Sequence, residues 1–256
     1  MRSNAVRARL AEGGVSIGTM VTEFATTGVA RLAASAGAEF VLFDLEHTGY
    51  GIERMRETLA AARSVDVVSF LRVPDAAYDL IARGLDLGAL GIMVPAVESV
   101  EEAHSIVDAS RFPPLGKRGF GMLMRDDWHP DGVPATIEHV NREVMTLVQI
   151  ETALGLEAVD GIAAIDGIDV LWIGHFDLSA SLGVPGDFDG ATFRSAVDRI
   201  LEAGARAGKP VGMVCGSVEE GRALLARGFR LLAYSIDIWL YEEAVRAGVA
   251  GLRAAV

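Results

Sequence analysis

The chain has 256 residues and a formal net charge of −12, which speaks against nucleic acid or an anionic membrane as partner, since both require clustered basic surface. Hydrophobic residues make up 51%, ample for a large core. Even so, no run approaches the roughly 20 apolar residues of a membrane span, and the start, MRSNAVRARLAEGG, lacks the apolar centre of a secretory signal, so a cytoplasmic protein is expected.

Eight short apolar, β-rich runs recur along the chain. The first is SIGTMV (16–21) and the second FVLFDLE (40–46), which runs into His47 and is followed by the helical pattern GIERMRETLAAAR. VVSFLRV (67–73) carries Arg72. After it, GLDLG places Asp86 in a turn before GIMVPAV (91–97), which counting puts at the far end of the strands. SVEEAHSIVDA then reads as a helix opened by Ser with an acidic first turn. A long connection, residues 111–136, follows; its Trp and two Phe residues argue against simple disorder, and it is expected to cover the catalytic end or an oligomer contact. TLVQIE (146–151) and VLWIGHF (170–176) come next, the latter leading to Asp177. ATFRSAVDRILEAGARAG, PVGMVC (210–215), SVEEGRALLARG and LLAYSI (231–236) complete the series. Cys215, the only cysteine, excludes an intramolecular disulfide and a cysteine-rich metal site and reads as a small apolar strand residue. The last segment, residues 238–255, is an amphipathic helix suited to the barrel or to a neighbouring subunit.

Strand-then-helix repeated eight times implies parallel strands joined by crossovers. The economical closed solution is an α/β fold of the (β/α)₈ TIM-barrel class, with residues 1–256 as one domain; a doubly wound open sheet is the alternative. In such barrels the active site lies at the C-terminal ends of the strands. The polar residues there are Asp44, Glu46 and His47, then Arg72, then Gln149 and Glu151, then Asp177. Each has a plain structural reading: Asp177 as a helix cap, Asp44 as a backbone hydrogen-bonder, Glu46 as a solvent-facing acid, Arg72 as a counter-ion. His104, His129 and His139 read as solvated surface. Convergence of these groups on one rim favours function over accident.

Gln149 and Glu151 share strand parity and so point to one face, inside an apolar run. A buried carboxylate needs a partner charge, a proton or a metal. Two carboxylates with few nitrogen ligands suit a hard cation such as Mg²⁺ or Mn²⁺, whose open positions could take the two oxygens of a 2-oxo acid. Arg72 could stabilise an enolate oxygen, His47 could move protons, and the start of the helix in WIGHFDLS could seat a carboxylate. Only two lysines occur, Lys117 in the long connection and Lys209 before the seventh strand; neither is placed for Schiff-base chemistry.

The stretches FVLFDLEHTGY, LRVPD, GLDLGALGIMVPAVESVEEA, RFPPLGKRGFG, LVQIET and WIGHFDLSASLG resemble, in order and spacing, the HpcH/HpaI family of metal-dependent (class II) pyruvate aldolases, over about residues 14–240. The resemblance implies a phosphoenolpyruvate/pyruvate-type barrel, assembled as a homohexamer (a trimer of dimers) with exchanged C-terminal helices. It implies a lyase that cleaves a 4-hydroxy-2-oxo acid reversibly to pyruvate and an aldehyde, with Mg²⁺, Mn²⁺ or Co²⁺ held by Glu151 and Asp177. It further implies that Gln149 lies beside metal and substrate, that Arg72 binds the pyruvyl oxygen, and that Asp86 orients His47 with Asp44 nearby. Gly174 and His175 would present backbone to the pyruvyl carboxylate. Many relatives have Pro-Ala at His175-Phe176, and some carry tryptophan at Ser16, which implies a differently shaped aldehyde pocket here. Citrate-lyase-like acyl-CoA cleavage and a catalytically silent metabolite-binding barrel are the competing readings.

Overall fold

The computed structural model describes residues 2–121 and 132–255. Eight parallel strands close into a barrel in sequence order: β1 (Ser16–Val21), β2 (Phe40–Asp44), β3 (Val68–Arg72), β4 (Gly91–Val94), β5 (Met145–Ile150), β6 (Val170–Ile173), β7 (Val211–Cys215) and β8 (Leu231–Ile236). The helices are α1 (Ala5–Ala11), α2 (Val29–Ser35), α3 (Ile52–Ala62), α4 (Tyr78–Asp86), α5 (Val100–Ser110), α6 (Val133–Glu143), α7 (Ala153–Ala163), α8 (His175–Ser181), α9 (Ala191–Ala207), α10 (Val218–Ala226) and α11 (Asp237–Arg253). None of the described helices is long and apolar enough to cross a membrane.

Strand alternation separates two apolar layers. Phe40 and Leu42, Val68 and Phe70, Met145 and Leu147, and Val170 and Trp172 fill the barrel interior, while their neighbours Val41, Leu71, Val148 and Leu171 pack against the helices. Continuing each interior row by two residues reaches Asp44, Arg72, Gln149 and Gly174. The period of the strand thus carries these groups to the mouth. At the other end α1 closes the barrel: Asn4 caps it through the Arg7 N–H and donates to the Leu90 and Glu143 carbonyls (3.0 Å each).

Three strands stop two or three residues earlier than the sequence suggests, each for a local reason. After Asp44 its own carboxylate accepts the N–H groups of Glu46 (3.0 Å) and His47 (3.3 Å), turning the chain out of the ladder. Pro95 follows Val94 and has no N–H to continue pairing. Gly174 already begins α8. The Ser-opened helices form as expected: Ser99 and Ser217 accept from the N–H groups of Glu102 and Glu220 (3.1 Å each). By contrast, α9 starts from Gly190 with no side-chain cap.

In β8 the pairing with β1 slips, Gly18 opposing Ala233 but Met20 opposing Ile236. Ser235 takes up the extra residue at φ 56, a β-bulge that reverses the parity of the strand end and turns Ile236 onto the interior layer. Of the long connection, residues 111–121 are anchored beside the neighbouring helices, through Phe112 on Asn141 (2.8 Å), Arg118 on Asp86 (2.6 Å) and Gly119 on the Tyr78 hydroxyl (2.8 Å). Residues 122–131, with Trp128 and His129, lie outside the described residues.

Candidate active site

The mouth holds a cavity of about 290 Å³, lined from β2, β3 and β5 by Asp44, Arg72 and Gln149, from the segments that follow β2 and β6 by His47, Gly174, His175 and Asp177, and elsewhere by Thr22 and apolar side chains. Asp44 and Arg72 are direct neighbours in the β2–β3 register. The guanidinium donates from Nε to Oδ1 (2.7 Å) and from Nη2 to Oδ2 (2.8 Å) of Asp44, the bidentate geometry that fixes an arginine most firmly. Its Nη1 lies 3.0 Å from Glu46 Oε2. Both members of the Asp44–Arg72 pair are buried, so removing either would strand a charge in the core.

Across the mouth, Glu151 is 4% exposed. Its Oε1 accepts the Ala96 N–H (2.7 Å), a donor aimed inward because Ala96 holds φ 48, a conformation costly for any residue with a Cβ. Its Oε2 accepts from Gln149 Nε2. Burial pushes the Glu151 carboxyl above the usual range; the Gln149 and Ala96 hydrogen bonds pull it back, and Glu46 and Asp177 raise it further. Glu46 is raised likewise, first by burial, with Arg72 and His47 opposing and Asp44 and Asp177 adding to it. Gly174 permits this packing: a Cβ there would sit 2.2 Å from Glu151 Oε2 and 2.7 Å from Gln149 Nε2.

The donor set meets a test for a cation. Crowded carboxylates gain from a nearby positive charge. Gln149 Oε1 is buried without a hydrogen-bond partner, and each Glu151 oxygen retains a lone pair. Among the described residues no three His, Cys, Asp or Glu side chains converge as a ready ligand set. The residues therefore fit an ion that keeps several waters and takes only two carboxylates, the habit of a hard divalent cation.

The family model of the HpcH/HpaI aldolase/citrate lyase matches residues 22–244. This chain belongs to that family. It is an aldolase of the class II, pyruvate-dependent kind. It is 33% identical to the 2-keto-3-deoxy-L-rhamnonate aldolase of Escherichia coli K12 over 95% of this chain and 91% of that one. With the 4-hydroxy-2-oxovalerate aldolase of Novosphingobium aromaticivorans it shares 34% identity, over 96% and 93%. The crystal structure of an HpcH/HpaI aldolase from Desulfitobacterium hafniense DCB-2 superposes with a TM-score of 0.94 at 26% identity, covering 98% of this chain and 97% of that one.

Within the aldolase, the fold gathers Asp44, His47, Arg72, Gln149, Gly174, His175 and Asp177 on one cavity, with Glu151 bonded to Gln149 at its wall. Asp86 is not among them. It is the last residue of α4, which runs antiparallel to the strands, and the Arg118 guanidinium donates to it. Within the single chain it therefore does not reach His47, whose ring lies 3.6 Å from Glu46 instead. Ser16 is likewise not an aldehyde-pocket residue: it starts β1 at the closed end and donates to Glu39 Oε2 (2.6 Å). Lys117 pairs with Asp108 (2.5 Å), and Lys209 lies beside Asp169 and Arg230 below β7; neither lines the mouth. His139 is not simply solvated, since its Nε2 meets the Arg2 carbonyl at 3.1 Å.

Sequence reasoning missed Glu46, read as solvent-facing, because the Asp44 turn folds it back onto Arg72. Its spacing of two from Asp44 was the available signal. It also missed the Ala96 donor, which depends on a backbone conformation that no residue type announces.

Proposed function

We propose that the aldolase cleaves 4-hydroxy-2-oxo acids reversibly to pyruvate and an aldehyde, in a reaction dependent on a divalent cation. The observation that carries this reading is the Arg72 guanidinium at the cavity. Two of its five N–H groups donate to Asp44 and Nη1 forms an ion pair with Glu46, which leaves donors for a substrate oxygen. A preorganised donor of this kind costs no reorganisation when charge develops on that oxygen.

Glu151 and Asp177 would hold Mg²⁺, Mn²⁺ or Co²⁺, with water completing the shell; the ion when bound supplies Lewis acidity toward the 2-oxo acid. The substrate carboxylate meets the backbone at Gly174 and His175, where α8 begins and its first N–H groups lack partners within the helix; His175 is the nearer donor, since the Gly174 N–H is held by the Ile150 carbonyl (3.3 Å). Gln149 Oε1, otherwise unpartnered, orients water or substrate beside them. His47, exposed at the cavity, accepts the C4 hydroxyl proton through a water. The C3–C4 bond then breaks, its electron pair passing into the 2-oxo group as an enolate that Arg72 stabilises. Protonation at C3 gives pyruvate, and the aldehyde leaves toward the apolar side of the mouth.

The assembly expected from the resemblance has support in α11. It buries no residue of its own and exposes Ile238, Tyr241, Val245, Val249 and Leu252 at helical spacing along one face. Beside it, Ile17, Val29, Leu32 and Tyr234 line an apolar groove of about 530 Å³. A second copy of the chain, docking its terminal helix, would cover both surfaces.

Pyruvate release from 4-hydroxy-2-oxo acids, followed through lactate dehydrogenase, tests the reading. Activity lost in EDTA and restored by Mg²⁺, Mn²⁺ or Co²⁺ is expected. Release that persists at full rate in chelator would contradict the cation, and acyl-CoA cleavage without pyruvate release would favour the citrate-lyase chemistry.

A further inference from the structure

We infer that the aldehyde partner of this enzyme is neutral and aromatic, selected by a wall that Phe176 and Trp239 build over the apolar half of the cavity; the inference rests on the aldolase reading above. The ends of β1, β7 and β8 contribute Met20, Val214 and, through the Ser235 bulge, Ile236. Phe176 and Trp239 stand edge to face, ring centroids 6.3 Å apart. Phe176 is backed by His175 (4.2 Å) and by Phe188 (5.5 Å), and Phe188 by Phe193 (5.3 Å). This chain of rings holds Phe176 half-exposed at the cavity instead of letting it fold onto the surface. Rings at such spacings accept a further aromatic guest in edge-to-face or offset contact.

Two other classes of aldehyde fit poorly. Thr22 carries the one hydroxyl lining the cavity among the described residues, and both its N–H and its hydroxyl donate to Asp237 (3.0 Å each). On the apolar side of the cavity, away from Gln149 and His47, a polyhydroxylated aldehyde would lose water with little to replace it. An anionic aldehyde would find Arg72 as the one Arg or Lys among the described lining, already in contact with the Asp44 and Glu46 carboxylates and assigned above to the pyruvyl oxygen. In the synthetic direction the balance is simple: pyruvate C3 loses a proton and bonds to the carbonyl carbon, and the aldehyde oxygen gains a proton.

The test uses the purified full chain with Mn²⁺ and pyruvate, offering benzaldehyde, acetaldehyde, glyceraldehyde and succinic semialdehyde. Benzaldehyde should exceed glyceraldehyde and succinic semialdehyde in kcat/KM by about tenfold or more. Phe176→Ala should lower the benzaldehyde-to-acetaldehyde ratio of kcat/KM by about tenfold, with Phe176→Leu in between. A ratio measured within one preparation is independent of how much of it is folded. A preference for the hydroxylated or the anionic aldehyde, or a ratio unmoved by Phe176→Ala, would overturn the inference. Exchange of pyruvate methyl protons in deuterated buffer, measured in parallel with no aldehyde, reports on the aldolase reading by itself. Exchange with the wrong aldehyde ranking defeats the specificity wall alone, whereas no exchange defeats the reading beneath it.

Discussion

The two halves of the barrel mouth are built by the same strand period and do opposite things. On β2, β3, β5 and β6 the interior rows run out to Asp44, Arg72, Gln149 and Gly174, with Glu151 and Asp177 just beyond, and only the β4 row between them ends in an apolar residue, Met93. From β7 round to β1 they end in Val214, Ile236 and Met20. In the first half two charged groups are over-determined: Arg72 by three contacts to carboxylates, Glu151 by two donors and a glycine that makes room. In the second half, hydrogen-bonding capacity is used up inside the protein, as with Thr22 on Asp237. One half binds charge that develops during a reaction; the other accepts whatever apolar surface is attached to it.

Substitutions should separate the halves, the largest effects coming from the charged one. Arg72→Ala is expected to lower kcat by about 10³-fold and, by leaving Asp44 buried and unpaired, to cost about 3–5 kcal/mol of stability in a denaturant titration. Near-parental turnover would show that the guanidinium is only a counter-ion. Glu151→Gln should abolish the rise in thermal midpoint that Mn²⁺ gives the parent protein, since binding to the native state alone is what raises it; an undiminished rise would move the cation elsewhere. Gly174→Ala drives a methyl group against Glu151 Oε2 and should cost about 10²-fold in kcat/KM while the far-ultraviolet spectrum stays that of the parent.

Outside the mouth the effects shrink and change in kind. Leu252→Asp, on the exposed face of α11, should shift the protein to a smaller species in light scattering, with circular dichroism unchanged; an unaltered mass would remove α11 from the assembly. Glu143 gives the smallest effect. Burial opposes its ionisation, but the Asn4 N–H at 2.7 Å and the Arg142 guanidinium outweigh it and hold its pKa below the usual range. A depressed acid stabilises the fold above its unfolded pKa, and this contribution is lost as pH falls through the folded value. Glu143→Gln should therefore cost about 0.5 kcal/mol at pH 7 and nothing once the pH is well below about 4.

What the sequence made legible follows from period. The eight strands and the rim residues Asp44, Arg72, Gln149 and Glu151 were readable because alternation carries them inward, and because an acid within an apolar run demands an explanation. Two features were not readable for a different reason. The inward turn of Ile236 depends on Ser235 adopting φ 56, and the Glu151 donor on Ala96 adopting φ 48; both are backbone states that tertiary packing imposes on ordinary residues. Glu46 lay between the two cases: its parity pointed inward, but only the Asp44 turn shows that it returns to Arg72. The misplacement of Ser16 came from reading the resemblance without the strand direction, since the first residue of a barrel strand lies at the closed end.

The central claim is that Arg72 and a cation held by Glu151 and Asp177 together make negative charge on pyruvate tolerable. Proton NMR of pyruvate in deuterated buffer tests it most directly. The account predicts that the methyl signal is lost with enzyme and Mg²⁺ or Mn²⁺, and persists in EDTA, with Arg72→Ala or with Glu151→Gln. Exchange that continues at the parental rate in the chelated enzyme or in either variant would contradict it.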